Sequence, residues 1–491
     1  MQLFNDQSSL INSVTDSLKA GYKKILCTLP TGGGKTVIFC HLIKRSIEKR
    51  GGFVTVLVHR IELLEQPIKT LNALGVKAAG VTRKGTVVLE GGELVPIHKQ
   101  VKSGFDAYIC MVETVHSRKG KGLLSYKNLL DGANFVIVDE AHFTNFVKVL
   151  KAIDENKVVV QFTATPLYAT KKHKITHYHD TLIQGPSPTE LIELNRLVAP
   201  RYYCEPVDES GFELKGGEFT DESVVKAYEQ QSILESLYRN YTHHQNGEKT
   251  VIFTSSISYA NTATDYLKEK GLNVRSIDSN TATPESRKDV FLWLRNTPNA
   301  VLINVGIATT GTDIPDLKSI ILLRATTSLT LFMQMIGRGA RVHESKDHFK
   351  VFDYGNNVKR LGKWEEFRDW AELIKEAEKP KRQKKADDLG LNVITLPSLF
   401  GSSEDDSDKK SGLILLEEDG TVAEKWAYLL GKDPRQMSIT ELEATQRIKK
   451  YKPGWKYRKI FDNWGEAGIL SYAELMGYAS GWAEQTIKRL S

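Results

Sequence analysis

Seven consecutive residues, Pro30-Thr31-Gly32-Gly33-Gly34-Lys35-Thr36, have the composition of a phosphate cradle. Glycines let backbone N–H groups approach an oxyanion closely, a helix N-terminus adds partial positive charge, a lysine supplies a full charge, and a hydroxyl can ligate magnesium. Thr31, Gly32, Gly33 and Gly34 form the loop, and Lys35 and Thr36 provide the last two groups. Leu29 stands where the strict form of this loop has a glycine, so the loop is a variant. Far downstream, Phe135-Val136-Ile137-Val138 runs into Asp139-Glu140-Ala141-His142. Two carboxylates at a strand end can divide the work: Asp139 holds magnesium through water, and Glu140 orients or deprotonates an attacking water. Alone, the loop could be a structural turn and the acidic pair a solvated strand end. In one sheet they point to hydrolysis of a nucleoside triphosphate, with ATP as substrate and Mg2+ as cofactor. A third constellation lies between Thr445 and Ile460, where Arg447, Lys449, Lys450, Lys452, Lys456, Arg458 and Lys459 surround Tyr451, Trp455 and Tyr457 with no acidic residue. Cations among aromatics suit phosphate contact with base stacking; the alternative is a solvated helical face over core aromatics.

Elements must position these groups. Ile25–Leu29, Phe53–Val58, Tyr108–Val112, Phe135–Val138 and Val158–Phe162 are continuous apolar runs, expected as strands of a parallel sheet covered on both faces. Val37, Ile38, Leu42, Ile43 and Ile47 recur at helical spacing just after the glycine loop. A second set of strands is expected at Thr250–Phe253, Val274–Ile277, Ala300–Val305, Ser319–Leu323 and Phe349–Phe352. The fold class is therefore α/β, with two tandem parallel-sheet lobes over residues 1–198 and 199–376. The stretch from Tyr168 to Tyr241 shows few clear strands and several helical patterns, and the seam between lobes is expected near Ala199. Val87-Val88-Leu89-Glu90 and Glu93-Leu94-Val95 flank Gly91-Gly92, a hairpin within residues 86–97. Residues 377–412 have linker composition, and residues 413–491 regain enough apolar residues for a small, mainly helical module.

The chain has 491 residues, 41% hydrophobic and 26% charged, which exceeds one core. No run approaches the length of a membrane span, and the opening lacks a secretory pattern, so a cytoplasmic protein with no membrane partner is expected. Cys27, Cys40, Cys110 and Cys204 include no Cys-x-x-Cys pair, so neither a zinc ribbon nor a disulfide framework is expected. The 67 basic and 60 acidic residues leave +7, which permits a polyanionic partner without requiring one.

The glycine loop, Asp139-Glu140-Ala141-His142 and Thr163-Ala164-Thr165-Pro166 resemble motifs one, two and three of superfamily 2 helicases. Asn304 to Pro315 resembles motif five, and Gln334-Met335-Ile336-Gly337-Arg338-Gly339-Ala340-Arg341 resembles motif six. Val58-His59-Arg60-Ile61-Glu62-Leu63-Leu64-Glu65-Gln66 is similar to the motif Ia of the DNA-acting branch with XPB-like, RecG-like and phage UvsW-like members, whose motif two has the DEAH form. The resemblance implies two RecA-like lobes with one ATP site between them. It makes Arg338 and Arg341, three apart on one helical face, fingers onto the terminal phosphate, with Gln334 beside them. It gives Gly311 and Asp313 a nucleotide role, and Thr163 and Thr165 a part in coupling hydrolysis to lobe movement. Gln7 is the candidate adenine reader because an amide both donates and accepts. The branch usually carries Leu-Arg-x-Tyr-Gln there, whereas Leu3-Phe4-Asn5-Asp6-Gln7 lacks the arginine and tyrosine, and a plain surface glutamine is the alternative. Nucleic-acid contacts are expected at Arg60, Thr114, Ser255 and Thr310, with Lys452, Trp455, Lys456 and Arg458 in the tail. The expected activity is ATP-driven translocation and unwinding of DNA, specifically forked or branched DNA in repair, recombination or replication. A duplex translocase without strand separation and a nucleotide-gated clamp with little turnover are the alternatives.

Overall fold

The computed structural model describes residues 3–117, 126–168, 173–205, 207–245, 247–278, 284–306, 314–378, 414–416, 458–463, 466, 469–470 and 486–488. The chain divides into two units, Met1–Leu416 and Glu417–Ser491. In the second, the described residues are helical, with Ile460 and Ile469 buried.

The first unit holds two large sheets. Its N-terminal sheet consists, in chain order, of β1 (Lys24–Thr28), β2 (Val54–Val58), β3 (Ala78–Thr82), β4 (Gly85–Glu90), β5 (Glu93–His98), β6 (Ala107–Met111), β7 (Val136–Asp139), β8 (Val159–Thr163) and β9 (Thr181–Gln184). Their spatial order is β5-β4-β3-β6-β2-β7-β8-β1-β9, parallel from β3 to β9 and antiparallel through β3-β4-β5. The apolar runs work as expected. Alternate residues of each strand face opposite layers, so Ile25, Val56, Ile109 and Ile137 join one core while Leu26, Leu57, Cys110 and Val138 join the other. The expected hairpin is β4-β5. Gly91 and Gly92 have φ of 58° and 83°, the left-handed pair that a two-residue turn with right-handed strand twist needs.

The second sheet is built from β10 (Ala199–Cys204), then, after a short ribbon of β11 (Leu214–Lys215) and β12 (Glu218–Phe219), from β13 (Thr250–Thr254), β14 (Val274–Ile277), β15 (Val301–Val305), β16 (Ser319–Leu323), β17 (His348–Asp353) and β18 (Ile414–Leu416). Its order is β14-β15-β13-β16-β17-β10-β18, with only β18 antiparallel to its neighbour among the described residues. It too is covered on both faces. Phe253, Leu302 and Leu322 enter one core, and Ile252, Ile303 and Ile321 the other.

Two segments depart from the sequence expectation. Ile414–Leu416, assigned above to the tail module, instead completes the edge of the second sheet beside β10. The helix Trp370–Glu378, assigned to the second lobe, returns to the first. Ile374 is buried in the core that contains Leu26 and Val138, and the Thr176 backbone N–H donates to Glu378 Oε1 at 3.1 Å. A single apolar stripe on this short helix fits either lobe, so its pattern could not choose. No helix among the described residues is long and apolar enough to cross a membrane.

Candidate active site

The glycine loop leaves β1 and enters the helix Lys35–Arg50. Leu29 N–H donates to the Thr163 carbonyl at 3.0 Å, which ties the start of the loop to the end of β8. Gly32 and Gly34 have φ of 86° and 88°, and Gly34 is the residue immediately preceding the helix. With left-handed glycines before it, the first helical turn directs its unpaired N–H groups out of the loop. Lys35 is buried, and its Nζ lies 3.5 Å from both Glu140 Oε1 and the Leu29 carbonyl. Thr36 is half-buried beside it.

β7 is separated from β1 only by β8, so the acidic pair emerges within reach of Lys35 in the loop. Asp139 Oδ1 accepts from the Glu140 N–H at 3.0 Å, and Glu140 has φ of 55°, a left-handed conformation that costs a non-glycine residue and turns the chain sharply after the strand. Burial, reinforced by the Glu140 charge, pushes the Asp139 carboxyl up to about 7. Burial alone would raise Glu140 as well, but the charges of Lys35, foremost, and Arg338 hold it below the usual carboxylate range. Glu140 therefore carries the negative charge. Its Oε2 is buried 3.4 Å from His142 Nδ1, with no hydrogen bond among the described residues. Asp139 and Thr36 offer hard oxygen ligands at a buried point that gains from a cation, so the residues fit Mg2+, which keeps most of its shell from water and phosphate.

His142 connects the two lobes. Its Nδ1 is 2.8 Å from Thr163 Oγ1, and its Nε2 is 2.7 Å from Gln334 Nε2 of the second lobe. The amide therefore donates to Nε2, and the ring carries its proton on Nδ1, donating to Thr163 Oγ1, which donates in turn to the Thr165 carbonyl at 3.1 Å. Burial lowers the His142 pKa to about 4, so the ring is neutral. Thr163 and Thr165 are both buried within this network.

The helix Leu329–Ile336 is capped by Ser328 Oγ, which accepts from Leu331 N at 3.3 Å. It ends before the two arginines, contrary to the expectation of a shared helical face. Gly337 and Gly339 terminate it, leaving Arg338 in a turn and Arg341 in an isolated bridge to Leu197. Gly337 abuts the glycine loop so closely that an added Cβ would lie 2.8 Å from Thr31 Cβ. A Cβ on Gly32 would lie 2.8 Å from Leu197 Cδ2 and 3.9 Å from Arg341 Cγ. Burial draws both guanidinium groups down to about 10, still cationic at neutral pH, and the Glu140 charge opposes that shift at Arg338. Arg338 is therefore the arginine that faces the acidic pair, and Arg341 lies along the loop.

Gln7 is buried, not a surface glutamine. Its Oε1 accepts from Phe4 N at 3.1 Å at the start of the helix Asn5–Lys19, and its amide nitrogen would collide with a Cβ on Gly34. Next to it lies a group that sequence reading missed. Arg196, between the lobes, stacks its guanidinium 3.6 Å from the centre of the exposed Phe4 ring and pairs with Asp6 at 2.8 Å. Nothing in the local sequence marks Arg196; only the fold brings positions 4 and 196 together.

Of the nucleic-acid candidates, Arg60 is half-buried at the end of β2 and its Nη2 donates to the Gly306 carbonyl of the second lobe at 3.4 Å. Ser255 is half-buried at the end of β13. Thr114 is only 2% exposed in the short helix Val112–Ser117, so its hydroxyl is not presented at the surface. Arg458 is exposed at the start of a helical segment. Thr310, Gly311, Asp313, Lys452, Trp455 and Lys456 lie outside the described residues.

Residues 1–167 match the family model of the type III restriction enzyme res subunit, and residues 229–343 match that of the helicase conserved C-terminal domain. The two matches fall one on each lobe, and over both the chain is similar to helicase superfamily 2. Among superfamily relatives, "Putative ATP-dependent helicase IRC3" of Saccharomyces cerevisiae is 27% identical over 369 residues, covering 71% of this chain and 50% of its own length. A "51.5 kDa protein" of a Lactococcus phage is 28% identical over 359 residues, covering 72% and 71% respectively. The fragment structure of a "putative HsdR subunit of a type I restriction enzyme" from Vibrio vulnificus YJ016 shares the fold, with a TM-score of 0.55 at 20% identity over 73% of this chain and 65% of that one. The chain spans about half the length of IRC3.

Proposed function

We propose that the chain hydrolyses ATP in the cleft between its lobes and uses the cycle to move along and unwind DNA. The observation that carries this reading is the meeting of the two lobes at the acidic pair, with Gln334 2.7 Å from His142 and the Arg338 charge acting on Glu140. A site that needs a base from one lobe and a cation from the other turns over only when the lobes close, so hydrolysis can drive relative movement.

In this mechanism the loop N–H groups and Lys35 hold the phosphates of the substrate, while Gln7 and the Phe4–Arg196 pair face the base. Mg2+ bound by Thr36 and Asp139 would neutralise phosphate charge. Glu140 takes a proton from water as its oxygen bonds to the terminal phosphorus, and the bond to the bridging oxygen breaks to release ADP. Arg338 and Arg341 stabilise charge on the transferring group. The His142–Thr163 network then reports the change to the strand that ends beside the loop.

Forked or branched DNA is the proposed substrate, supported by the likeness to the UvsW-like branch and by the basic, aromatic-rich segment at 445–460. Duplex tracking without strand separation is a second reading, favoured by the match of residues 1–167 to a restriction-enzyme subunit. One experiment addresses both: ATP turnover measured in parallel with single-stranded DNA, duplex, fork, four-way junction and RNA, alongside displacement of a labelled strand from the fork. We expect the greatest stimulation with fork or junction, together with displacement. Stimulation by blunt duplex without displacement would support the second reading, and equal rates with and without every polymer would refute both.

A further inference from the structure

His59 has no role in the chemistry above, yet its position is unusual. β2 and β7 are neighbours with Leu57 opposite Val138, so the residues after them, His59 on one side and Glu140 to Phe143 on the other, leave the sheet side by side. The His59 ring stacks on Phe143 with centroids 3.9 Å apart and planes 29° apart, and Phe146 meets it edge-on at 6.4 Å. Phe143 also contacts the His142 ring, at 4.2 Å. Three rings therefore run without a gap from His59 to the residue that hydrogen-bonds Gln334.

His59 is only 8% exposed, and both of its ring nitrogens are buried without a hydrogen-bond partner among the described residues. An imidazole in that state is a poorer filler than phenylalanine or leucine, because its desolvated polar atoms gain nothing in return. This arrangement of the lobes is thereby destabilised relative to any in which a nitrogen finds a partner. The next residue, Arg60, donates to the Gly306 carbonyl across the cleft at 3.4 Å. His59 sits between that crossing and the column of rings.

We infer that His59 is a positioning residue that links occupancy of the Arg60 position to the His142–Gln334 contact through the Phe143 ring. The inference rests on the functional reading above, in which Arg60 meets nucleic-acid phosphate. A phosphate that draws Arg60 away from the Gly306 carbonyl moves the adjoining backbone and brings His59 a hydrogen-bond partner, either the phosphate or its ordered water. The ring column shifts with it and resets the geometry at His142 and Glu140. Nucleic acid thus changes the rate of hydrolysis without touching the nucleotide.

The test uses the full chain with His59→Phe, which keeps the stack but removes both nitrogens, and Phe143→Leu, which interrupts the stack. ATP turnover is measured without polymer and with saturating single-stranded DNA, KM for ATP is measured in both conditions, and thermal melting confirms folding. Each variant should keep basal turnover and KM within about twofold while losing about tenfold of the stimulated turnover, a typical coupling between sites. Full stimulation in either folded variant overturns the inference, as does a proportional fall of basal and stimulated rates, which marks a packing role only. Absence of stimulation in the unaltered chain overturns the functional reading itself, so the two failures are distinct.

Discussion

The two lobes share a plan of parallel strands between helices but present different charged groups to each other. In the first, β1 and β7 deliver a buried lysine and two carboxylates to one mouth of the sheet, with Glu140 in a left-handed turn at its strand end. In the second, the groups that face this mouth come from the helix Leu329–Ile336 and the turn after it: Gln334, then Arg338 and Arg341. One lobe can therefore hold a nucleotide and the other can stabilise its cleavage, and neither is complete alone. The sheets supply rigidity, and their facing ends divide the chemistry.

The division breaks most clearly by removing one half of the cross-lobe pair. Arg338→Ala and Glu140→Gln should each lower turnover by about 10³-fold while leaving ATP affinity within a few-fold, because the losses fall in the transition state. Lys35→Ala should instead abolish tight ATP binding. Stopped-flow turnover with equilibrium binding of a fluorescent ATP analogue separates these outcomes. Loss of affinity in Arg338→Ala, with an unchanged bound-state rate, would mean that the second lobe holds the nucleotide as much as the first does.

The contact between His142 and Gln334 measures how firmly the two faces meet. A double-mutant cycle with His142→Ala and Gln334→Ala, read in DNA-stimulated turnover, should give a coupling of about 2 kcal/mol, since each single change strands a buried polar partner. Additive effects would show that the lobes do not close through this pair during turnover.

Legibility in the sequence followed burial. Strands covered on both faces, such as Val54–Val58 and Ser319–Leu323, are unbroken apolar runs that announce themselves to within a residue or two. β3 reads Ala-Ala-Gly-Val-Thr, with little strand propensity, and is made by its pairing to β6 and β4; β9 is a half-buried edge, and β10 alternates around Pro200. The glycine loop and the acidic pair were equally plain, because phosphate and metal chemistry tolerates few residue types. The arginine pair was expected on one helical face, but two glycines end that helix early. Thr114 failed for another reason: a motif position says nothing of whether a hydroxyl points out or in. His59, Phe143 and Arg196 depend on contacts between strand ends or between distant segments, and no local spacing encodes those.

The lobes should also differ in their response to acid. Burial lowers His59 to about 3 and His142 to about 4, both in the first lobe, against about 6.5 in an unfolded chain. Between pH 6.5 and 4 the unfolded chain takes up protons that these rings in the folded chain refuse. Stability is therefore present above pH 6.5 and lost as the pH falls through that window, by up to about 1.4 kcal/mol per pH unit for each histidine. His59→Phe should flatten the slope of urea-unfolding free energy against pH between 6.5 and 5. An unchanged slope would assign the acid sensitivity to the carboxylates instead.

Arg196 belongs to neither sheet and tests whether the segment between the lobes is a passive tether. It is held by Asp6 and by the face of Phe4, beside the amide of Gln7 and the end of the glycine loop. If the guanidinium faces the base, Arg196→Ala should raise KM for ATP about fivefold with kcat little changed, in keeping with a partly exposed stacking interaction of about 1 kcal/mol. It should also narrow the preference for ATP over GTP. A fall in kcat with KM unchanged would move Arg196 from base recognition to lobe closure, and the comparison would then need three working parts instead of two.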